Sequence, residues 1–445
     1  MMRSMFSGVS GLRAHQTRMD VIGNNVANVN TVGFKSGRVT FSEIFSQTLR
    51  GAGAPDSATG RGGTNPMQVG LGLNINSVDT IMTRGSLQRT DNPTDVSIEG
   101  DGFFVVKGGN ADAYKFTRAG NFGIDKLGNL VTGSGLNVYG WQELATGKTD
   151  EFNTDQDATP INLYNAGDRN MQILPAKKTN FAVLSGNLDA TYMDLTTASA
   201  APYSDPSLAK TFSVPMTVYD SLGNAYKITL DFQKDSVVTT GTPPVATTKW
   251  TIQVGGTDIA EGATLEFNSN GTLTADSVAV TRTLTVVPDA ASGADSFDVD
   301  LDLSKLTMFA SDSSVKPTDV DGYTMGSLVT FNVGSDGIIT GVYDNGQQQA
   351  LGQFCIATFQ NPAGLQKVGD NLYIQTTNSG DFNKRGLRPG ASGAGTLSPG
   401  TLEMSNVDLS KEFTDMIITQ RGFQANSRII TTSDEMLQEL VNMKR

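Results

Sequence analysis

The chain has 445 residues, of which 38% are hydrophobic, and it carries a formal net charge of −12 with a single cysteine. Its length allows two or three domains, each with its own core, whereas its acidity argues against binding nucleic acid by neutralising phosphates. One cysteine rules out an intrachain disulfide, and we expect Cys355, in the apolar stretch GQFCIATF, to be a small buried hydrophobe. Proteins are therefore the expected partners, with no nucleic acid among them.

Coiled-coil spacing marks the amino end. Steps of four and three residues separate the members of one stripe, with Ile22 beside it: Met5, Val9, Leu12, Gln16, Met19, Gly23 and Val26. This pattern predicts a helix of about six turns that ends in the Gly- and Asn-rich segment GNNVANVNTVGF. The same end lacks the continuous apolar core of a cleaved signal peptide, and no stretch is apolar enough for a spanning helix. We therefore expect neither a Sec-type signal nor membrane insertion.

Connectors rich in glycine bracket a middle segment with the alternation of half-buried strands. Residues 51–66, GAGAPDSATGRGGTNP, are too polar and too rich in Gly to pack, and residues 386–400 are a second low-complexity stretch. Between them, apolar residues alternate with mostly polar neighbours, as in Tyr226, Ile228, Leu230 and Phe232 and again in Phe297, Val299, Leu301 and Leu303. This order predicts nested domains: the terminal helices together, then a domain built from two segments, then an outer domain inserted within it.

The carboxyl end repeats the coiled-coil spacing. Its stripe consists of Leu409, Phe413, Met416, Gln420, Phe423, Ser427, Ile430, Asp434, Leu437 and Val441. Ser405, Asn406 and Asp408 are candidate N-caps, and Lys444 and Arg445 would complement the negative end of the helix. Helices that cover an ordinary core show the same spacing. Position at the extreme termini favours pairing of the two helices with each other or with a neighbouring subunit.

Residues that could support catalysis or metal binding occur in isolation. His15 is the only histidine and lies beside the amino-terminal stripe, so a solvated or interfacial role is expected. Alternation places Asp298, Asp300 and Asp302 on one outward strand face rather than around a cation. The glycines of VGLGLN and GAGAP lack the surroundings of a nucleotide site and are interpreted as turns. We expect no enzymatic activity, no cofactor and no metal.

Three long sequence blocks occur in an order that a known family shares. They are MFSGVSGLRAHQTRMDVIGNNVANVNTVGFK, the pair DNPTDVSIEGDGFFVV and FTRAGNFGIDKLGNLVT, and LEMSNVDLSKEFTDMIITQRGFQANSRIITTSDEMLQELVNM. The first and last resemble the amino- and carboxyl-terminal signatures of the axial proteins of the bacterial flagellum. The middle pair is similar to the domain shared by distal rod and hook.

Two further blocks favour hook over rod. TVYDSLGNAYKITLDF resembles the outer hook domain, and DGYTMGSLVTFNVGSDGIITGVYDNGQQQALGQFCIATFQNPAGLQKVGDNLY resembles the return into the inner one. Distal rod proteins share the ends but are shorter and lack that outer domain. The resemblance implies a mainly β fold with terminal α-helices, and surplus length between about Thr197 and Asp312 allows an enlarged or subdivided outer domain.

The resemblance also implies a division of the chain into four parts. Residues 1–30 with 405–445 would form a coiled-coil-like helical domain that lines a tube, and residues 31–80 would form an extended connector. Residues 81–150 with 320–400 would form a β-rich inner domain. Residues 151–319 would form the β-rich outer domain.

A role in assembly follows from the same resemblance. It implies export by the flagellar type III apparatus without a cleaved signal, and polymerisation into the extracellular hook, the curved universal joint that transmits torque from rod to filament. The implied partners are other copies of the chain and the distal rod, hook cap and hook–filament junction proteins. The expected subunit-interface residues are Met5, Val9, Leu12, Met19, Ile22, Val26, Leu409, Phe413, Met416, Phe423, Ile430, Leu437 and Val441.

Two alternatives remain open from the sequence. A distal rod or other axial subunit would share the terminal helices but build a straight, rigid polymer. A secreted adhesin or carbohydrate-binding protein would bind a glycan through the β-rich middle, and its terminal helices would be dispensable.

Overall fold

The computed structural model describes residues 2–55, 60, 62–109, 113–145, 147, 151–167, 169–199, 209–240, 245–255, 257–259, 263–280, 282–288 and 293–443. The chain divides into two compact units. Unit 1 comprises residues 1–171, 330–341 and 348–445, and unit 2 comprises residues 172–329 and 342–347. Unit 1 is therefore discontinuous in sequence, with unit 2 inserted in it.

Helices occupy both ends of the described chain, and strands fill most of the remainder, which confirms the predicted mainly β fold with terminal helices. Unit 1 begins with α1 (Met2–Ala27), β1 (Gly37–Glu43), β2 (Ser46–Arg50), β3 (Met67–Gly70), β4 (Leu73–Thr80), β5 (Leu87–Arg89), β6 (Val96–Glu99), β7 (Phe103–Lys107), β8 (Lys115–Thr117), β9 (Phe122–Ile124), β10 (Leu130–Thr132), β11 (Asn137–Trp141), β12 (Thr159–Pro160), β13 (Asn165–Ala166) and β14 (Arg169–Asn170).

The inserted segment and the returning chain complete the element order. Unit 2 contains β15 (Ile173–Leu174), β16 (Phe181–Asp189), α2 (Leu195–Ser199), β17 (Thr211–Tyr219), β18 (Ala225–Thr240), β19 (Val245–Val254), β20 (Thr257–Asp258), β21 (Thr264–Phe267), α3 (Ala275–Ala279), β22 (Arg282–Val286), β23 (Phe297–Phe309) and β24 (Lys316–Val320). The chain then continues through β25 (Gly326–Val333), β26 (Ile338–Tyr343), β27 (Gln348–Phe354), β28 (Ile356–Ala357), a 3-10 turn (Pro362–Gly364), β29 (Gln366–Gly369), β30 (Leu372–Ile374), β31 (Thr396–Pro399), β32 (Thr401–Glu403) and α4 (Leu409–Asn442).

An antiparallel sheet with the strand order β27-β11-β7-β8-β30-β29 forms the body of unit 1. Its core is aromatic: the ring of Phe116 meets Phe359 and Phe382 edge-on, at centroid distances of 4.8 and 5.3 Å. Such edge-to-face pairs add to the stabilisation from area burial. Cys355 is fully buried in the same core, as predicted, and burial raises the pKa of its thiol.

Unit 2 encloses its core with two sheets. One has the order β17-β18-β19-β20, with β21 beside β19, and the other has the order β22-β23-β16-β24. All neighbours in the second sheet are antiparallel except β16 and β23, which run parallel. Trp250, Phe232 and Val299 are among the fully buried side chains that the two sheets share.

The predicted strand alternation is confirmed in unit 2. On β23, Val299 and Leu301 are buried, whereas Asp298 and Asp300 are exposed. Thr285 Oγ1 donates a hydrogen bond to Asp298 Oδ1 over 2.7 Å. The aspartates therefore lie on the outward face of the sheet, as the period of two requires.

Paired strands occupy the segment interpreted from sequence as a connector. Strands β1 and β4 form one antiparallel ladder and β2 and β3 a second, so much of residues 31–80 is extended but hydrogen-bonded. Residues 56–59 and 61, within the stretch 51–66, lie outside the described residues.

Residues 151–171, assigned from sequence to the outer domain, belong to unit 1, where Phe152 and Ala158 are part of the aromatic core. The local sequence could not reveal the long-range contacts that place these residues in unit 1.

Candidate subunit interface on the terminal helices

Helices α1 and α4 pack against each other in antiparallel orientation. Ser4 Oγ lies 3.4 Å from Ser433 Oγ, while Asn25 Nδ2 donates to Glu412 Oε1 over 3.2 Å. Low residue numbers on α1 thus face high numbers on α4. The beginning of α4 is fixed by Asp408, one of the predicted N-caps, whose Oδ1 accepts hydrogen bonds from the backbone N–H groups of Ser410 and Lys411.

Small residues allow the two helices to approach closely. A methyl group built on Gly11 would lie 2.7 Å from Asn426 Nδ2, and one built on Gly422 would lie 2.9 Å from the imidazole of His15. The buried residues of the pair include Gly8, Ala14 and Thr419. At the centre of this contact, Arg18 Nη2 donates to Asp415 Oδ1 over 3.0 Å in a half-buried ion pair.

The contact between α1 and α4 is displaced from the apolar stripes predicted from sequence. Its α1 side consists of Ser4, Gly8, Gly11, His15, Arg18, Ile22 and Asn25, which have the expected spacing but precede the predicted stripe by one residue. One residue corresponds to about 100° of helix rotation. The seam within one chain therefore consists mainly of small and polar residues, with Ile22 and Ile430, which lies opposite Gly8, as its large apolar members.

The thirteen predicted interface residues differ in how far they are buried within one chain. Ile22 is the buried member. Half-buried positions are Met5, Leu12, Met19, Val26, Met416, Ile430 and Leu437, and exposed positions are Val9, Leu409, Phe413, Phe423 and Val441. Phe413 is 50% and Val441 67% exposed, so the helix pair presents an apolar face with no covering in the described part of the chain.

The β1–β4 ladder packs against α1 on another side. Gly72 has φ +126° and allows β4 to approach the helix, where Ser10 Oγ accepts a hydrogen bond from Leu73 N at 3.4 Å. The rings of His15 and Phe41 meet edge-on at 5.9 Å. His15 Nδ1 is buried without a hydrogen-bond partner in the described structure, and burial, assisted by Arg18, lowers the pKa of this imidazole.

A buried ion triad joins the helices to the body of unit 1. Glu403 accepts hydrogen bonds from Lys35 Nζ at 2.5 Å and Arg118 Nη1 at 3.3 Å, and from the backbone N–H of Gly85 at 3.0 Å. Lys35 and Glu403 are each 1% exposed. Burial lowers the pKa values of Lys35 and Arg118, and Glu403 opposes that shift. Sequence reasoning missed this triad because its members come from three distant segments that no local pattern connects.

An asparagine beside the triad ties the same segments through their backbones. Asn406 Oδ1 accepts from Ser36 N at 2.8 Å, and Asn406 Nδ2 donates to the carbonyl oxygens of Ile81 and Thr83 at 2.8 and 3.2 Å. The sequence offered Asn406 as an N-cap candidate. Its observed role is instead to hold the start of α4 against the chain that leaves α1.

Metal-binding side chains do not cluster in the part of the chain that the structure describes. No group of three or more His, Cys, Asp or Glu side chains converges there on a position for a metal ion. No described helix combines the length and apolarity that crossing a bilayer requires. The terminal helices instead present a packing surface.

Four protein families match successive parts of the chain. Residues 5–35 match the flagella basal body rod protein family, residues 97–169 the flagellar hook protein FlgE/F/G D1 domain, residues 187–323 the flagellar basal body protein FlaE D2 domain, and residues 398–443 the flagellar basal body rod FlgEFG protein C-terminal family. Together these families define a class of axial proteins of the flagellum.

Full-length relatives narrow this class. The flagellar hook protein FlgE of Borreliella burgdorferi is 40% identical over 465 residues, and that of Treponema pallidum is 39% identical over 485 residues, each covering 100% of both chains. The flagellar basal-body rod protein FlgG of Bacillus subtilis is 32% identical over 445 residues, again 100% of both chains. The chain belongs to the flagellar hook protein family, whose members are structural subunits of the hook.

Proposed function

We propose that this hook subunit polymerises through the exposed apolar face of its paired terminal helices. The observation that carries the proposal is that mainly small and polar residues form the contact between α1 and α4, while Phe413, Phe423 and Val441 remain exposed. A soluble chain rarely keeps so many large apolar side chains on one surface unless another molecule covers them. Fully burying each would contribute about 1.5–3 kcal/mol.

The geometry of such a contact favours a filament. An interface between two different surfaces of identical subunits repeats from one copy to the next, and it yields a helical polymer when the rotation does not close. The predicted interface residues lie on both terminal helices, so each copy would offer apolar surface to more than one neighbour. In this arrangement residues 1–30 and 405–445 line the tube.

A second exposed apolar surface would support the same assembly. Ile44, Phe45 and Leu49 on one side of the β2–β3 hairpin, with Met67 and Val69 on the other, are all exposed. We assign this hairpin to contacts between neighbouring copies. Polar strand faces such as that of β23 would permit neighbouring copies to slide while the hook bends.

The location and the other partners are proposed from family membership. Hook assembly requires a rod end to grow from and a filament to carry, so distal rod, hook cap and hook–filament junction proteins are the proposed partners. Export through the flagellar type III apparatus, without a cleaved signal, would bring the chain to the extracellular hook. A purely structural role requires no catalysis.

Electron microscopy of the concentrated full-length protein tests this proposal. The matched comparison is a chain without residues 1–30 and 405–445, which keeps the β-rich units. Curved tubes from the full-length chain alone are the expected result. Straight tubes would favour a rod subunit, an alternative that the Bacillus subtilis relative keeps relevant. Tubes from the truncated chain would refute assembly through the terminal helices.

A further inference from the structure

The carboxyl-terminal part of α4 extends beyond its contact with α1. The contact between Ser4 and Ser433 lies near the start of α1, whereas α4 continues to Asn442. About nine residues, or roughly 14 Å of helix, therefore project past this contact. Here Met436, Leu440 and Met443 lie one turn apart on one face and are exposed, flanked by Glu435 and Glu439. We call this surface the tail face.

A groove beside α1 has complementary chemistry. Phe6 and Val9 line it from α1, and Ile44, Leu71 and Leu73 line it from the β1–β4 ladder, enclosing about 380 Å³. Phe6 is 66% and Ile44 54% exposed. Arg13 borders the groove, which we call the α1 groove, and has no ion pair within the described residues. The apolar groove with Arg13 at its border thus complements the apolar tail face with its two flanking glutamates.

We infer that the tail face of one copy docks in the α1 groove of a second copy. The inference rests on the proposed polymerisation and names two surfaces that would mate. Met436, Leu440 and Met443 would enter the groove, and Glu439 would approach Arg13. Because the two surfaces differ and lie on different parts of the subunit, the contact is head-to-tail and repeats along a filament.

The tail face cannot reach the groove of its own chain. Gly8, next to Val9, packs against Ile430. The α1 groove therefore lies beside the part of α4 around Ile430. Leu440 lies ten residues further along the same continuous helix, roughly 15 Å away. Filling the groove with the tail of the same chain would require α4 to break and reverse. The register of the helix pair therefore leaves the groove open to the tail face of a second copy.

Disulfide trapping between two separately prepared copies tests the docking. One copy carries Val9→Cys and the other Leu440→Cys; both are mixed, assembled into polymer and oxidised. The native Cys355 can stay, because it is buried and the raised pKa of its thiol keeps it protonated. The expected result is a disulfide-linked dimer that forms from the mixture and is at least tenfold less abundant from either copy alone.

The matched control pairs Leu440→Cys with Val287→Cys, an exposed position in unit 2. Polymer without trapping above this control would overturn the docking while leaving polymerisation intact. Absence of polymer from the wild-type chain and from all three cysteine variants would overturn the proposed function and the docking with it.

A charge exchange provides an independent readout in the uncrosslinked polymer. Arg13→Glu or Glu439→Arg alone is expected to raise the concentration needed for assembly several-fold, since each places like charges together. The double variant should return to within about threefold of wild type, because the pair is restored with reversed signs. Single-variant defects that simply accumulate in the double variant would contradict a contact between these residues.

Discussion

Replacement of Glu403 by glutamine is expected to weaken unit 1 severely although the side chain keeps its size. The carboxylate pairs with two cations, Lys35 and Arg118, that are almost completely buried, and a neutral amide would remove its negative charge from beside both. Removing one partner from a buried ion pair typically costs about 3–5 kcal/mol, because the remaining charge is left in a region of low dielectric. That is a large share of the roughly 5–15 kcal/mol by which proteins are folded.

Urea unfolding of a chain with one tryptophan measures the loss of stability in unit 1 separately from unit 2. The protein has two tryptophans, and they report different units: Trp141 lies in the core of unit 1 and Trp250 in that of unit 2. In a Trp250→Phe background, fluorescence follows unit 1 alone, which avoids treating two units as one transition. Glu403→Gln should lower the midpoint strongly in this background.

An exposed ion pair supplies the matched control for the glutamine substitution. Glu99 lies 3.8 Å from Arg84, with both side chains about half exposed, so Glu99→Gln should change the free energy of unfolding by less than about 1 kcal/mol. A Glu403→Gln effect no larger than this would refute the argument that the triad holds unit 1 together.

Three further predictions concern the terminal helices. Stability should fall as pH drops below ~6.5, because the pKa of His15 is lower in the folded chain than in the unfolded chain, so protonation favours the unfolded state. Thermal unfolding of His15→Gln should therefore show a shallower pH dependence. Gly8→Leu should cost about 1–3 kcal/mol in urea unfolding by overpacking the helix contact, whereas Gly23→Ala, with open space around it, should gain up to about 1 kcal/mol. Phe423→Asp should leave monomer unfolding nearly unchanged yet abolish polymer in sedimentation assays. Thr419→Asp, at a buried position, should instead destabilise the monomer. Equal effects of the two variants would contradict the assignment of one helix face to the monomer and the other to the polymer.

Local patterns were sufficient to predict both terminal helices and the alternation of two strand segments. The four-three spacing located both terminal helices, and Asp408, one of three cap candidates, was found at the start of α4. The period of two in Phe297, Val299 and Leu301 gave the correct buried face of β23. These features depend on residues close together in sequence, where helix and strand geometry leave few alternatives.

Contacts between distant segments could not be predicted in the same way. Lys35 and Glu403 are 368 positions apart, and a single sequence gives no sign that they meet. The strands β1 and β4 flank a glycine-rich stretch that reads locally as a connector. In both cases burial and pairing are decided by tertiary structure, which local propensity does not encode.

The displaced helix seam shows why a correct period does not specify what a helix face contacts. Hydrophobic spacing identifies the most apolar face of a helix, and the inference that this face packs within the chain assumes that the chain is the whole assembly. In α1 and α4 the intrachain contact instead uses the face on which Gly8, Gly11 and Gly422 permit close approach. The large apolar face is thereby kept free. In the proposed polymer, this division would let one helix face hold the two terminal helices together and leave the other for neighbouring copies.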